Sequence, residues 1–268
     1  MKIEARCEEH EVCKSPPEAA TIWRYIDFTK LISLLETQRL FFARADTFDD
    51  PFEGSITRPN VAARTALYES VLQNNPSEHL HNALTNSARI TSKFRGWAFI
   101  SCWNMSERES AALWGLYVPP HGGVALRSTV ERLRHCFGPT VDPRPAAPHL
   151  RRIYFSQVQY VDYETDRMPE GNMMSPLFHK RLSFEFESEV RALILEDPGT
   201  VSGPNGTDFA EPVALGLEAA VDLRRLIEAI HVAPTAPDWF AELVRTVVSR
   251  YQLDRPVVQS SLSGSPVY

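Results

Sequence analysis

Acidic side chains alternate with other residues just before a short apolar run in the last third of the chain. Segment 184–191 reads Phe-Glu-Phe-Glu-Ser-Glu-Val-Arg, and 192–195 is apolar. In a β-strand, side chains of one parity share a face, so the pattern predicts a strand with one row of charged groups, Glu185, Glu187, Glu189 and Arg191. Carboxylates crowded in a cleft have perturbed proton affinities and can carry acid–base chemistry. The same row on the solvated face of a sheet would be structural, and this alternative stays open.

Asp49, Asp50 and Glu53 form a second acidic group around Pro51. Their carboxylate oxygens could bind a divalent cation. Aspartate before proline is also a common device for starting a turn, so a structural role is an equally natural interpretation.

Arginine and aromatic residues offer further binding chemistry. Arg24 lies between Trp23 and Tyr25, so a strand would place it opposite two rings, where it could clamp a phosphate or pair with an acid. Trp114 and Tyr117 could stack on a base or nicotinamide, or belong to the core, and the same holds for Trp103. The scattered histidines and the absence of a nucleophile-elbow pattern give a hydrolytic triad no support.

The elements that would position these groups are short strands interleaved with short helices. Hydrophobic patterning predicts strands at 22–26, 40–43, 97–103, 124–127, 153–163, 184–191, 227–232 and 257–262. It predicts helices at 31–37, with Asp27 as the N-cap, and at 110–117, 129–136, 174–181 and 238–251.

The order of these elements predicts an α+β fold, with a mixed, largely antiparallel sheet and peripheral helices, because the strands and helices lack the regular alternation of a doubly wound fold. We expect residues 1–20 to be a flexible polar tail and 21–268 to form a single domain. A helical insertion of two modest helices is predicted near 60–95, and a proline-rich loop at 138–149.

Composition narrows the possible function classes. The 268 residues carry a net charge of −6, which argues against broad binding to nucleic-acid phosphates and leaves only a local basic patch for such a partner. The 43% hydrophobic content predicts a folded core. No apolar run is long enough for a signal peptide or a membrane span, so we expect a soluble cytoplasmic protein without a membrane partner. The cysteines are predicted to be reduced thiols without zinc spacing, and no metal is expected: Cys7, Cys13, Cys102 and Cys136.

Several of these blocks together resemble the domain of unknown function 2971 family over about residues 22–262. The resemblance is carried by Trp-Arg-Tyr at 23–25, Leu-Phe-Phe-Ala at 40–43, Phe-Asp-Asp-Pro-Phe-Glu at 48–53, Ile-Ser-Cys-Trp at 100–103, Leu-Trp-Gly-Leu-Tyr at 113–117, Gly-Gly-Val-Ala-Leu at 122–126, and Lys180 with Phe184, Glu187, Glu189 and Arg191. The Asp-Pro-Phe-Glu and Glu-x-Glu-x-Arg blocks are its specific parts. This resemblance implies relatedness and does not imply a reaction.

A more distant resemblance, to ADP-ribosyltransferases of the Arg-Ser-Glu type, implies a reaction. Arg24, Ser101 and the Glu187-x-Glu189 pair follow the chain order of that family's motif residues. The resemblance implies that Arg24 holds the phosphate or ribose of NAD, that Ser101 supports the nicotinamide ribose, and that Glu189 stabilises the oxocarbenium-like state. It further implies that Glu187 orients or deprotonates an unknown macromolecular acceptor. Ser101 is followed by Cys-Trp and not by the Thr-Ser common in that family.

The resemblance leads us to expect an NAD-consuming ADP-ribosyltransferase or NAD glycohydrolase, with Trp114 or Tyr117 stacking on nicotinamide. One alternative is a metal-dependent nuclease or phosphodiesterase, in which Asp50, Glu53, Glu187 and Glu189 gather a cation and Lys180 or Arg191 steadies the phosphate. Another is a non-catalytic binding module whose acids and arginines are structural pairs.

Overall fold

The computed structural model describes residues 1–74, 92–119, 122–137, 150–197, 199–203, 206–210 and 214–264. Within this part of the chain, no helix has the length and apolar character needed to cross a membrane.

Fourteen strands and six α-helices make up the described structure. The strands are β1 Lys2–Glu8, β2 Thr21–Asp27, β3 Arg39–Arg44, β4 Ala98–Met105, β5 Gly123–Thr129, β6 Leu150–Gln157, β7 Gln159–Val161, β8 His179–Arg181, β9 Glu189–Leu195, β10 Thr200–Gly203, β11 Gly206–Phe209, β12 Gly216–Ala220, β13 Ala229–Val232 and β14 Val257–Gln259. The helices are α1 Phe28–Thr37, α2 Arg58–Asn74, α3 Ala111–Tyr117, α4 Val130–His135, α5 Leu223–Leu226 and α6 Asp238–Arg250.

Ten strands form one mixed sheet in the order β14-β13-β5-β2-β4-β3-β12-β1-β6-β9, and β9 also pairs with β4. This last pairing closes six strands, from β4 through β3, β12, β1 and β6 to β9, into a ring. Strand β1 runs parallel to both of its neighbours, and β13 runs parallel to β14. The other pairs of this sheet are antiparallel. The predicted α+β fold with a mixed, largely antiparallel sheet is confirmed, whereas the closure was not predicted.

Strand β4 is the fork of the sheet. One of its edges pairs with β9 from Ala98 to Asn104. The other edge pairs with β3 at Phe99 and Ile100, and then with β2 at Asn104 and Met105. Strands β2 and β3 therefore diverge near the middle of β4, and a gap in the hydrogen-bond ladder opens between them.

The two faces of β4 and β9 have different surroundings. Directly opposite residues of an antiparallel pair share a face. Phe99 and Trp103 belong with Ile194 to the main core. Ile100 and Leu193 point the other way, into a smaller core that contains Leu177 and Phe178 of the 3₁₀ turn Ser175–Phe178. We call these the inner and outer faces.

Local signals account for most of the elements. Asp27 caps α1 by accepting a hydrogen bond from the Lys30 N–H (2.8 Å), as predicted. Ser110 caps α3 in the same way through the Leu113 N–H. The strands predicted around 22–26, 40–43, 97–103 and 124–127 are confirmed as β2, β3, β4 and β5.

The predicted flexible tail at 1–20 is wrong, because Lys2–Glu8 forms β1 between β12 and β6. Ile3 and Ala5 are buried while Lys2 and Glu4 are exposed, which is the period of a half-buried strand. Burial of this short apolar pair, together with two parallel ladders, outweighs the polar composition of the segment.

The predicted strand at 184–191 is also wrong in its first half. Leu182–Glu187 is a 3₁₀ turn, and Ser188 adopts a left-handed backbone with φ 40° before β9 begins at Glu189. The row of acids is therefore broken, and Glu185 is exposed to solvent.

The predicted helical insertion near 60–95 overlaps α2, Arg58–Asn74. Most of its predicted second helix, at 75–91, lies outside the described residues, as does the predicted loop at 138–149. The predicted helix at 174–181 consists instead of the 3₁₀ turn Ser175–Phe178 followed by β8.

Candidate functional site

Arg191 is the centre of a buried ion-pair group on the outer face. Its side chain is 0% exposed and lies between two carboxylates. It donates to Glu53 at 2.5 and 2.9 Å and to Glu189 at 2.8 and 3.1 Å. A fifth hydrogen bond, of 2.6 Å, goes to the Leu177 carbonyl. The two-pronged geometry of the guanidinium matches both carboxylates at once, so the group joins β9 to the Asp-Pro-Phe-Glu loop.

Charges around Glu189 fix its protonation state. Burial alone would raise the pKa of Glu189, but Arg191 and Lys180 outweigh it and hold the pKa at about 2. Burial would likewise lower the pKa of Arg191, yet Glu189 and Glu53 raise it well above its ordinary value. Glu189 is thus a permanent carboxylate in neutral solution, with cations on both sides.

Glu187 lies two positions before Glu189, next to this group, and its carboxylate is bound from two directions. Tyr117 donates its hydroxyl proton to Oε1 (2.7 Å), and the Lys180 ammonium pairs with Oε2. Lys180 also lies 3.5 Å from Glu189. The left-handed Ser188 turns the backbone between the two glutamates so that both reach the same ammonium.

The protonation states of the groups holding Glu187 are also set by their surroundings. Burial and the hydrogen bond to Glu187 raise the pKa of Tyr117, so the phenol keeps its proton. Burial would lower the pKa of Lys180, but the neighbouring Glu189 and Glu187 raise it above its ordinary value. A proton donor and a fixed cation therefore share one carboxylate.

Arg24 and Ser101 meet at the fork of the sheet. The Arg24 guanidinium donates to the Ser101 hydroxyl and, at 3.0 Å, to the Phe41 carbonyl of β3. Trp103 donates its indole N–H to the same hydroxyl (3.2 Å). Burial lowers the pKa of Arg24 to about 10, which still leaves it charged at neutral pH. Arg24 thus bridges the gap in the ladder between β2 and β3.

The strand register separates this pair from Glu189. Ser101 lies opposite Ala192, while Cys102 and Asn104 lie opposite Arg191 and Glu189. Ser101 is fully buried on the inner face, and Glu189 lies on the outer face. The three predicted residues come from adjacent strands, β2, β4 and β9, but Ser101 and Glu189 do not share one hollow. Their roles around NAD remain predictions.

The two aromatic residues predicted to stack on nicotinamide have different environments. Trp114 is buried, packs edge-to-face on Tyr25, and donates its indole N–H to Glu109 (3.0 Å). It belongs to the core, which corrects its predicted place at a ligand. Tyr117 is 51% exposed and remains available for contact with a ligand.

Asp50, Glu53, Glu187 and Glu189 do not form a cluster of free acids. Asp50 pairs with Arg181 (2.7 Å), and the other three pair with Arg191 or Lys180. Among the residues that the structure describes, no group of three or more His, Cys, Asp or Glu side chains could hold a metal ion.

Two residues of the site were missed by sequence reasoning. Asn104 donates to the Glu187 carbonyl (2.6 Å), and Tyr160 accepts from the Glu189 N–H (2.8 Å). Asn104 is buried, and its side-chain carbonyl oxygen has no partner in the described part of the chain. The strand prediction for 97–103 ended one residue before Asn104, and a longer strand would have placed it on the face of Cys102.

No protein-family model, no curated protein and no solved structure matches the chain significantly. The site must therefore be interpreted from its own chemistry.

Proposed function

We propose that the chain is an NAD-consuming enzyme, a glycohydrolase or an ADP-ribosyltransferase, in which the Glu187 carboxylate meets the substrate. The observation that carries the proposal is the placement of this carboxylate between the Tyr117 hydroxyl and the Lys180 ammonium. Because each of its two oxygens has a partner, the carboxylate is fixed in one orientation. A catalytic group held in this way can act on a bound molecule with little rearrangement of the protein.

The surroundings of Glu187 suit a ligand with a ribose and an aromatic ring. Asn104 donates a hydrogen bond to the Glu187 backbone carbonyl and so helps to fix the position of the carboxylate that is proposed to face the ribose. The exposed Tyr117 ring offers a stacking surface. Exposed apolar side chains occur on both elements that meet here, Leu116 on α3, and Leu182 and Phe186 on the 3₁₀ turn.

The proposed reaction breaks the bond between C1′ of the ribose and the nicotinamide nitrogen, and the bonding electron pair leaves with nicotinamide. The positive charge that develops on the ribose is stabilised by the Glu187 carboxylate. Water or an acceptor nucleophile then bonds to C1′, and its proton passes to Glu187. Buried Glu189, Arg191 and Glu53 hold the backbone of β9 in place beneath the reacting group.

The experiment measures nicotinamide release from NAD by the full chain, with candidate macromolecular acceptors present and absent. Glu187→Gln keeps the shape and removes the charge, and it should lower the rate about 100-fold or more. The matched control is Glu185→Gln in the same turn, because Glu185 is exposed and its side chain has no hydrogen bond or ion pair in the described structure. The proposal is refuted if the parent chain neither releases nicotinamide from NAD nor transfers the label of labelled NAD to an acceptor.

A second candidate, a non-catalytic binding module, is favoured by the complete pairing of Arg191 with Glu53 and Glu189. In that case Glu187→Gln would change stability or ligand affinity, and no turnover of NAD would be found. Retained folding with lost turnover would favour the enzyme.

A further inference from the structure

A cavity of about 730 Å³ opens away from the candidate site, between the C-terminal ends of α1 and α6, the start of β3 and the start of α5. None of its described lining residues belongs to the group around Glu187 and Arg191. Its volume lies within the range of pockets that hold small-molecule ligands. We propose that this cavity binds a nucleotide.

Two glutamines at the cavity carry free carboxamides. Gln38 and Gln252 both line it, and neither side chain has a hydrogen-bond partner in the described structure. Both adopt a left-handed backbone, with φ 51° and 55°, where glycine is the least strained residue. A carboxamide offers a donor and an acceptor side by side, which is the complement of the N6–N7 edge of adenine.

Two of the three charged side chains that line the cavity are cationic, Arg39 and Arg224, and the third is Asp222. Arg224 donates to the Gln252 carbonyl (3.1 Å), so a guanidinium lies beside one of the two glutamines. Arg132 and Arg255 do not line the cavity, but both donate to the main-chain carbonyl of Arg224. None of Arg132, Arg224 and Arg255 forms an ion pair with a described carboxylate.

The remaining polar lining agrees with an anionic ligand. Arg39 enters from β3, where it donates to the carbonyls of Ile3 and Glu218 at 3.1 and 3.2 Å and also pairs with the exposed Glu4 carboxylate at 3.7 Å. The lining carboxylate of Asp222 already accepts two backbone N–H groups at the start of α5. The half-exposed Tyr251 adds a ring beside Gln252. A nucleotide is recognised by guanidinium groups that bind its phosphate, by carboxamides that bind the edge of its base and by an aromatic ring that stacks on the face of the base.

The test is calorimetric titration of the full chain with AMP, adenosine and inorganic phosphate. AMP should bind at one site, and more tightly than either fragment, because it engages the arginine and the glutamines together. The double variant Gln38→Gly/Gln252→Gly should bind AMP at least tenfold more weakly. Its melting temperature should not fall, since glycine adopts a positive φ without strain.

Arg224→Ala should weaken binding of AMP at least tenfold, while Arg225→Ala serves as the matched control on the same helix. Arg225 does not line the cavity and donates to the His135 carbonyl (2.9 Å). Glu187→Gln should bind AMP as the parent does, which separates this proposal from the enzymatic one. The proposal is overturned if the parent does not bind AMP, if AMP binds no more tightly than phosphate, or if both cavity variants bind AMP like the parent.

Discussion

Replacing Arg191 with methionine tests whether the buried ion-pair group holds the outer face together. Four of its hydrogen bonds go to carboxylates, and a hydrogen bond to a charged group contributes about 1.5–3 kcal/mol. Desolvation of the charges offsets much of that gain, so the pair itself adds little. Removing one partner is different, because it leaves Glu53 buried without its cation and Glu189 with Lys180 alone, and breaking a buried pair in this way costs about 3–5 kcal/mol. We expect Arg191→Met to lose about 4 kcal/mol, a large part of the roughly 5–15 kcal/mol of a typical domain.

The pH dependence of this loss follows from the pKa of Glu189. In the parent, that pKa is about 2, below its ordinary value, so the ion pair stabilises the fold above about pH 4.3 and the stabilisation is lost as the pH falls towards 2. In the variant, burial without Arg191 favours the protonated acids. The stability gap between parent and variant should therefore be widest at pH 7. It should shrink as the pH falls, first as the buried acids of the variant take up protons and then, below about pH 4.3, as the parent loses its ion pair.

The assay is urea unfolding of both proteins at pH 7, 5 and 4, followed by tryptophan fluorescence. Arg152→Met is the matched control, because Arg152 forms an exposed pair with Glu8 (3.2 Å), and exposed pairs contribute about 0–1 kcal/mol. A loss below about 1 kcal/mol for Arg191→Met, or a gap that widens in acid, would refute the reasoning.

Three further predictions concern stability. Gly216→Ala should destabilise the fold, because an added Cβ would lie 2.3 Å from the Phe41 ring. In Gly115→Ala, inside α3, the added Cβ meets nothing within 4 Å, so this change should stabilise the fold by about 0.5–1 kcal/mol. Both effects are measured as changes in the melting temperature. Asp27→Ala should cost about 1 kcal/mol in chemical unfolding through loss of the α1 cap, and an unchanged midpoint would contradict the capping role. Burial would raise the pKa of Glu109, but hydrogen bonds from His231, Ser260 and Trp114 hold it at about 2, so Glu109 stabilises the fold above about pH 4.3 and loses that effect as the pH falls towards 2. Glu109→Gln should therefore make the urea midpoint depend less on pH between about 4.3 and 2. A pH dependence like that of the parent would contradict the assignment.

Local signals predicted the elements that carry the site better than they predicted its geometry. The aromatic and β-branched runs around Trp23 and Phe99 became β2 and β4, and the Asp27 cap was found where helical spacing placed it. The strand predicted from the alternation at 184–191 was wrong because a 3₁₀ turn can carry the same residues. No residue type in the segment indicates the left-handed backbone of Ser188. A serine at that position gives no signal comparable to glycine.

Contacts between distant segments depend on register, which a local pattern does not contain. The Asp-Pro-Phe-Glu and Glu-x-Glu-x-Arg blocks meet through a direct ion pair between Glu53 and Arg191, which are 138 positions apart, whereas the sequence pattern could join them only as ligands of a cation in the nuclease alternative. The pairing of Ser101 with Ala192 decided which face of β4 carries which side chain. A shift of one residue would have placed Ser101 opposite Arg191, on the face that carries Glu189, so the predicted shared hollow depended on a quantity that the sequence pattern does not specify.

The position of β1 sets the order in which the ring can assemble. This strand lies between β6, which begins at Leu150, and β12, which ends at Ala220. During synthesis, Lys2–Glu8 must wait for both partners, and its alternating apolar side chains stay in contact with water until then. Pairing across such long stretches of chain makes folding slow, and we expect the ring to close only after release of residues beyond 220 from the ribosome.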